Sequence, residues 1–258
     1  MPADREILLR AASLASEGAR FVLCTVVGAQ GRTPRNMGAR MIVFPDGRIE
    51  GSIGGGGVEL LATEAATVRI KSRDTGVEKF VLSEEAGQCC GGVMEVYFEC
   101  HGFEHRCVLF GAGHVAEALV PMLTPSSLDV IVVDHRSEWN NAERYPSARR
   151  VMSYEEGVSL AIERTESTIA CVLTCSHDTD LDILVGLLQS PPAFVGLIGS
   201  SSKRAGFAGR LTARGIAEND IARIHCPIGL GDMGKEPTLV AVSIAGQVLL
   251  ETKKLARG

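Results

Sequence analysis

The chain has 258 residues, above the usual single-domain size, so one large or two modest domains are expected. Hydrophobic residues make up 45% and charged residues 22%, a globular mixture that weighs against a disordered chain, and the net charge of −5 weighs against a protein held to nucleic acid by phosphate contacts. No apolar run approaches the roughly 20 residues needed to cross a bilayer, and the start, MPADREILLR, puts charges where a signal peptide needs an apolar core, so a cytoplasmic protein without nucleic-acid or membrane partners is expected.

In chain order, Ile7, Leu8, Ala11, Leu14 and Ala15 recur at helical spacing and predict an amphipathic helix. Phe21 to Val27 is a short run of β-formers. Arg40–Phe44 and Arg48–Glu50 flank Pro45-Asp46-Gly47 and predict a hairpin. Val58 to Ile70 returns to helical character, and Glu78–Leu82 and Val93–Glu99 predict two more strands. The composition then changes near residue 100, with His101 to His105 as a linker. Beyond it, Cys107–Phe110, Val130–Val133, Ile169–Leu173 and Phe194–Ile198 are short apolar runs, most of them followed by helical segments, as in a parallel sheet buried on both faces. A final helix is predicted from Leu239 to about Leu255, with Gly246 as its weakest position. The fold class is α/β: a small α+β domain over residues 1–100, then a Rossmann-like parallel-sheet domain over residues 106–258.

The strongest motif is Gly111-Ala112-Gly113-His114-Val115-Ala116, which follows a predicted strand and opens a helix. This is the Rossmann fingerprint with Ala in the third position: Gly111 permits the tight turn, Gly113 lets backbone amides approach a pyrophosphate, and the helix start favours the anion. Asp134 ends the next strand, where an acid can accept from a ribose hydroxyl. A turn of this kind that binds no dinucleotide is the competing reading.

Four further segments carry chemistry-bearing residues. Gly54, Gly55, Gly56 and Gly57 precede a helix and can wrap an anion with their amides, although the GK[ST] ending of an ATP-hydrolysing loop is missing. Arg32, Thr33 and Arg35 share a short loop suited to an oxyanion. Gly87-Gln88-Cys89-Cys90-Gly91-Gly92 leaves a cysteine sterically open to a ligand or metal. His177 and the pair Ser200 and Lys203 follow later strands, at the edge where open α/β sheets bind ligands. Each segment also has a plain structural alternative: tight turns, solvated arginines, an incidental cysteine, a helix cap. Eight cysteines without any CxxC, in a reducing compartment, imply free thiols, and Cys107 and Cys171 read as buried core.

Taken in order, these motifs resemble the XdhC family, xanthine dehydrogenase accessory factors related to CoxI-type maturation proteins. Gly31-Arg32-Thr33-Pro34-Arg35 with Gly38-Ala39-Arg40-Met41 is similar to the family's GSPR and GARM, with Thr33 keeping the hydroxyl. Gly51-Ser52-Ile53-Gly54-Gly55-Gly56, Gly87 to Gly92 and Phe110 to Val115 follow, then Gly196 to Ser200 with Lys203-Arg204, Cys226 to Gly229 and Gly234 to Pro237. Where the family often has two histidines, as in THSH, this chain has Cys175 and leaves His177 alone.

The resemblance implies a chaperone that binds molybdenum cofactor (molybdopterin), protects it, assists its sulfuration with a cysteine desulfurase and delivers it to xanthine dehydrogenase, as a homodimer and an accessory factor rather than a turnover enzyme. On that reading Cys90, which abuts the glycines, meets the metal in preference to Cys89, and no catalytic residue is assigned. The runner-up readings are an NAD(P)-dependent oxidoreductase and a dinucleotide sensor, both built on Gly111, Gly113 and Asp134.

Overall fold

The structure is a computed structural model, described here for residues 2–82, 92–126 and 128–256. The chain divides into two compact units, residues 1–103 and 104–258.

The first unit begins with helix α1 (Pro2–Ser16), followed by strands β1 (Phe21–Gln30), β2 (Arg40–Val43) and β3 (Ile49–Gly51), helix α2 (Gly56–Ser72), and strands β4 (Gly76–Val81) and β5 (Val93–His101). The strands form one antiparallel sheet in the order β3-β2-β1-β5-β4. Period-2 alternation sorts its two faces. Val22, Cys24 and Val26 point to the α2 side, where Val58, Ala62, Ala66 and Ile70 supply one helical stripe; Phe21 and Leu23 point to the other side and meet Ala11 and Leu14 of α1. Alanines at the middle of the α2 stripe let the helix lie close to the sheet. The expected hairpin joins β2 to β3: Gly47 takes φ +80 and the Asp46 carboxylate accepts from the Arg48 amide at 3.0 Å.

The second unit alternates strand and helix: β6 (His105–Phe110), α3 (His114–Leu123), β7 (Leu128–Val133), β8 (Arg149–Val151), α4 (Tyr154–Ile162), β9 (Thr168–Val172), α5 (His177–Leu188), β10 (Phe194–Leu197), α6 (Ser201–Ala213), α7 (Glu218–Ala222), β11 (Ile224–His225) and α8 (Pro237–Leu255). All six strands run parallel in the order β11-β10-β9-β6-β7-β8. Counted from β6, this is the doubly wound order 3-2-1-4-5-6, read from the other edge. One face is covered by α3 and α8, the other by α4, α5 and α6. Burial on both faces explains why β6, β7 and β9 read as unbroken apolar runs rather than alternating ones. Cys107 and Cys171 are fully buried on β6 and β9, as expected. Chain reversal between β6 and β9 places a switch point at their carboxyl ends, where such sheets bind ligands.

Candidate functional site

In the first unit, glycines bring separate motifs together. Gly54 takes φ +142, and a β-carbon there would collide with the Pro34 ring. The glycine turn 51–57 therefore packs directly on the loop carrying Arg32, Thr33 and Arg35. Gly92, paired to Leu82 through its carbonyl at 2.8 Å, has no room for a β-carbon against the backbone of Gln30 and Arg32. Cys89 and Cys90 lie outside the described residues.

The loop from Pro34 to Arg40 walls a cavity of about 610 Å³ that includes Arg35, half-buried, and Arg40, whose guanidinium also donates to the Gly38 carbonyl at 3.1 Å. Arg32 is exposed and Thr33 half-buried beside it.

The glycine turn itself holds an anion from its own chain. One oxygen of Glu59, in the first turn of α2, accepts from the Ser52 hydroxyl at 2.6 Å and from the amides of Gly55, Ile53 and Gly54 at 2.8, 3.1 and 3.2 Å. Burial pushes the carboxyl up, but the Ser52 hydroxyl and the Gly55, Gly54 and Ile53 amides outweigh it and hold Glu59 below the ordinary carboxylate value. The sequence pointed to an open cradle at Gly54–Gly57; in the structure, amides of this turn are already engaged by a carboxylate four residues on from Gly55.

In the second unit the two turn glycines have different jobs. Gly111 takes φ +110, and a β-carbon there would lie 2.7 Å from the Leu173 carbonyl oxygen, so β6 and β9 can approach at their ends only without a side chain. Gly113 adopts φ −79 and faces open space, with nothing within 4 Å of where its β-carbon would be.

Asp134 is fully buried. It accepts from the Ala112 amide at 2.9 Å, from the Arg136 amide at 3.0 Å and from the Arg136 guanidinium at 2.9 and 2.6 Å. Burial again raises the carboxyl, and the Arg136 side chain, the Ala112 amide and the Arg136 amide overcome it, leaving Asp134 below the ordinary value. The acid expected to meet a ribose hydroxyl therefore points inward, with its lone pairs engaged by Arg136 and the turn.

Arg136 also donates toward the exposed Cys175 sulfur at 3.7 Å and lies over Trp139 at 5.4 Å, with Arg144 over the same ring at 4.4 Å and His114 edge-on to it at 5.2 Å. His177 is the first residue of α5, behind the cap Ser176, and stands edge-on to Phe207 at 6.0 Å. Ser200 caps α6 by accepting from the Lys203 amide at 3.2 Å. Lys203 is nearly buried; its ammonium donates to the fully buried Asp180 at 2.6 Å and to the Ile198 carbonyl at 2.9 Å, while Thr174 donates to the other Asp180 oxygen at 2.6 Å. Its charge is thus neutralised inside the fold. Glu59, Arg136 and Asp180 organise these sites without having been assigned a role from sequence. Only their nearness to motif residues marked them, Arg136 two positions after Asp134 and Glu59 just after the glycines. Among the described residues no group of three or more His, Cys, Asp or Glu side chains is placed to hold a metal ion, and no helix is long and apolar enough to cross a membrane.

The strand order, the Gly111–His114 turn and the small antiparallel unit define a two-unit protein with a Rossmann-type sheet. The family model described as XdhC Rossmann domain matches residues 107–248, and the one described as XdhC and CoxI family matches residues 14–81. The chain belongs to the XdhC family.

Among curated relatives it is 32% identical over 248 residues to the uncharacterized protein YqeB of Escherichia coli, covering 94% of this chain and 46% of that protein. It is 24% identical to a probable xanthine dehydrogenase component of Bacillus subtilis, covering 58% and 44%, and 22% identical to the molybdenum cofactor insertion chaperone PaoD of Escherichia coli, covering 95% and 87%. The chain spans less than half the length of the first two. A crystal structure described as a xanthine dehydrogenase from Bacillus halodurans superposes with a TM-score of 0.51 at 17% identity, covering 98% of this chain and 96% of that one, a likeness of fold.

Proposed function

We propose that this protein is a molybdenum cofactor chaperone that holds the cofactor, assists its sulfuration by a cysteine desulfurase and delivers it to xanthine dehydrogenase. Family membership and the likeness to PaoD along nearly the whole chain support this reading. The observation that carries it is the packing of the Arg32–Arg35 loop, the glycine turn and Gly92 on one another beside an arginine-lined cavity. The cofactor is a pterin dithiolene with a phosphate tail. A cavity of about 610 Å³ lies in the size range of small-molecule sites, and Arg35 and Arg40 suit an oxyanion.

In this reading Arg35, with Arg32 and Thr33, orients the phosphate. Glu59 fixes the neighbouring turn so that the loop keeps its shape. Cys90, assigned from the sequence, would supply a sulfur ligand to the metal of the bound cofactor. Bound cofactor supplies molybdenum redox chemistry to the client enzyme, and the chaperone's own residues bind and shield it. We place the protein in the cytoplasm as a homodimer.

The second unit favours one further reading. The open face of Gly113 accommodates a pyrophosphate, so a dinucleotide at the turn is retained as the alternative. With Asp134 turned inward, such a ligand is recognised through its phosphates and Arg136 rather than through a ribose diol.

The test is anaerobic purification followed by metal analysis and mass spectrometry of the co-purified small molecule, together with activation of cofactor-free xanthine dehydrogenase. Molybdenum and a pterin in comparable amounts, reduced in Arg35→Ala and Cys90→Ala, are expected. A protein without pterin or metal that leaves the client inactive would overturn the reading.

A further inference from the structure

A second cavity, of about 680 Å³, opens at the carboxyl ends of β10 and β11. None of Gly111, Gly113, Asp134 and Cys175 lines it. Its volume lies within the range typical of small-molecule sites.

One wall is apolar: Ile198, Pro227, Ile228, Met233 and Val240. The lining also includes Ser201 and Lys235, for whose side chains the described residues offer no ion-pair or hydrogen-bond partner. The single carboxylate among the lining residues, Asp232, is turned to its own loop and accepts from the Gly234 amide at 2.9 Å.

The loop that closes the cavity is held from behind by α8. Ser243, 3% exposed, donates to the Gly231 carbonyl at 2.8 Å and accepts from the Gly231 amide at 3.2 Å, and Gln247 accepts from the Gly229 amide at 2.5 Å. The cavity is therefore pre-formed, which lowers the entropy lost on binding.

We propose that this cavity binds a flat heteroaromatic ring bearing an anionic group, as a subsite separate from the Gly111–His114 turn. The ring packs on the apolar lining, where the Met233 thioether suits an aromatic edge. The anionic group faces Lys235 and Ser201, whose charge-assisted contacts fix its direction. A pterin and a nucleotide base with phosphate share this chemistry.

The experiment is fluorescence polarisation of pterin-6-carboxylate titrated with the full chain, with AMP as competitor. Gly231 lines the cavity, has an ordinary φ and has nothing within 4 Å of its β-carbon position, so Gly231→Phe sets a bulky side chain on the lining loop without backbone strain. Binding to the unaltered protein is expected, with Gly231→Phe and Lys235→Ala each weakening it about tenfold or more and Lys254→Ala, an exposed cation outside the cavity, leaving it unchanged. Displacement by AMP assigns the site to nucleotides and resistance to AMP assigns it to pterins. No binding by the unaltered protein, or undiminished binding in Gly231→Phe, or an equal loss in Lys254→Ala, would overturn the proposal. The probe carries no molybdenum, so a protein that activates cofactor-free xanthine dehydrogenase yet ignores the probe sinks this inference alone.

Discussion

Both units build a glycine-rich turn ahead of a helix, and both meet it with a carboxylate of their own. The acids arrive by different routes. Glu59 lies on the same helix as its turn and gathers three amides and a hydroxyl on one oxygen. Asp134 comes from the end of the neighbouring strand, takes a single turn amide, that of Ala112, and leaves its other contacts to Arg136. The first turn is therefore closed by a local device. The second is anchored from behind while Gly113 keeps an open face. A glycine run thus means either a turn that holds its own acid or a turn that leaves room for a foreign anion.

The anchor is where the comparison breaks most visibly. Replacing Asp134 by Ala leaves the Arg136 guanidinium and the Ala112 amide without their acceptor in a buried setting. A loss of about 3 kcal/mol is expected, below the cost for a fully enclosed pair because Arg136 reaches partly to water. Urea unfolding measures it. A loss under about 1 kcal/mol would mean that Arg136 and the turn relax easily and that Asp134 stays available to a ligand.

Sequence reading found the two-layer logic because hydrophobic period separates the units cleanly. Alternation in β5 reflects one-sided burial, whereas the unbroken runs of β6, β7 and β9, and of β1 over Phe21–Cys24, reflect burial on both faces. The hairpin at Pro45-Asp46-Gly47 and the final helix were legible from turn chemistry and composition. Helix α2 begins at Gly56, two residues before the predicted Val58, because glycine propensity hides a start that Gly55, Glu59 and the turn amides create together. The site residues were legible as motifs but their contacts were not. Asp134 and Lys203 were read as ligand-facing from their place at strand ends, whereas burial with Arg136 and Asp180 turns both inward. Pairings between residues far apart in the chain, such as Lys203 with Asp180, leave no local pattern.

The local acid gives a smaller and pH-dependent effect. Glu59→Gln keeps the shape but removes the charge that three amides and a hydroxyl point at, so a loss of about 1–2 kcal/mol is expected at neutral pH. The folded carboxyl titrates below its unfolded value of about 4.3, so its stabilisation is complete above that value and disappears as the pH falls through the folded one. The gap between the unaltered protein and Glu59→Gln in urea midpoint is therefore widest near pH 7 and begins to narrow as the pH falls past the unfolded value of about 4.3. A gap that stays constant to pH 3 would show that shape, not charge, holds the turn.

The smallest effect on stability tests the open face. Gly113 is the residue capping α3, at an ordinary φ, and a β-carbon there has nothing within 4 Å. Gly111, two positions earlier, combines φ +110 with the Leu173 carbonyl in its path, so only one glycine of the motif is required by the fold. Gly113→Leu is expected to cost less than about 1 kcal/mol, the usual difference between glycine and an aliphatic residue at a helix cap. Its side chain covers the approach to the turn amides. If a pyrophosphate lies there, ADP binding measured by equilibrium dialysis falls about tenfold or more while the unfolding midpoint barely moves. ADP held equally by both proteins would show that the turn is only a tight connection between strand and helix and that the open face at position 113 receives no pyrophosphate.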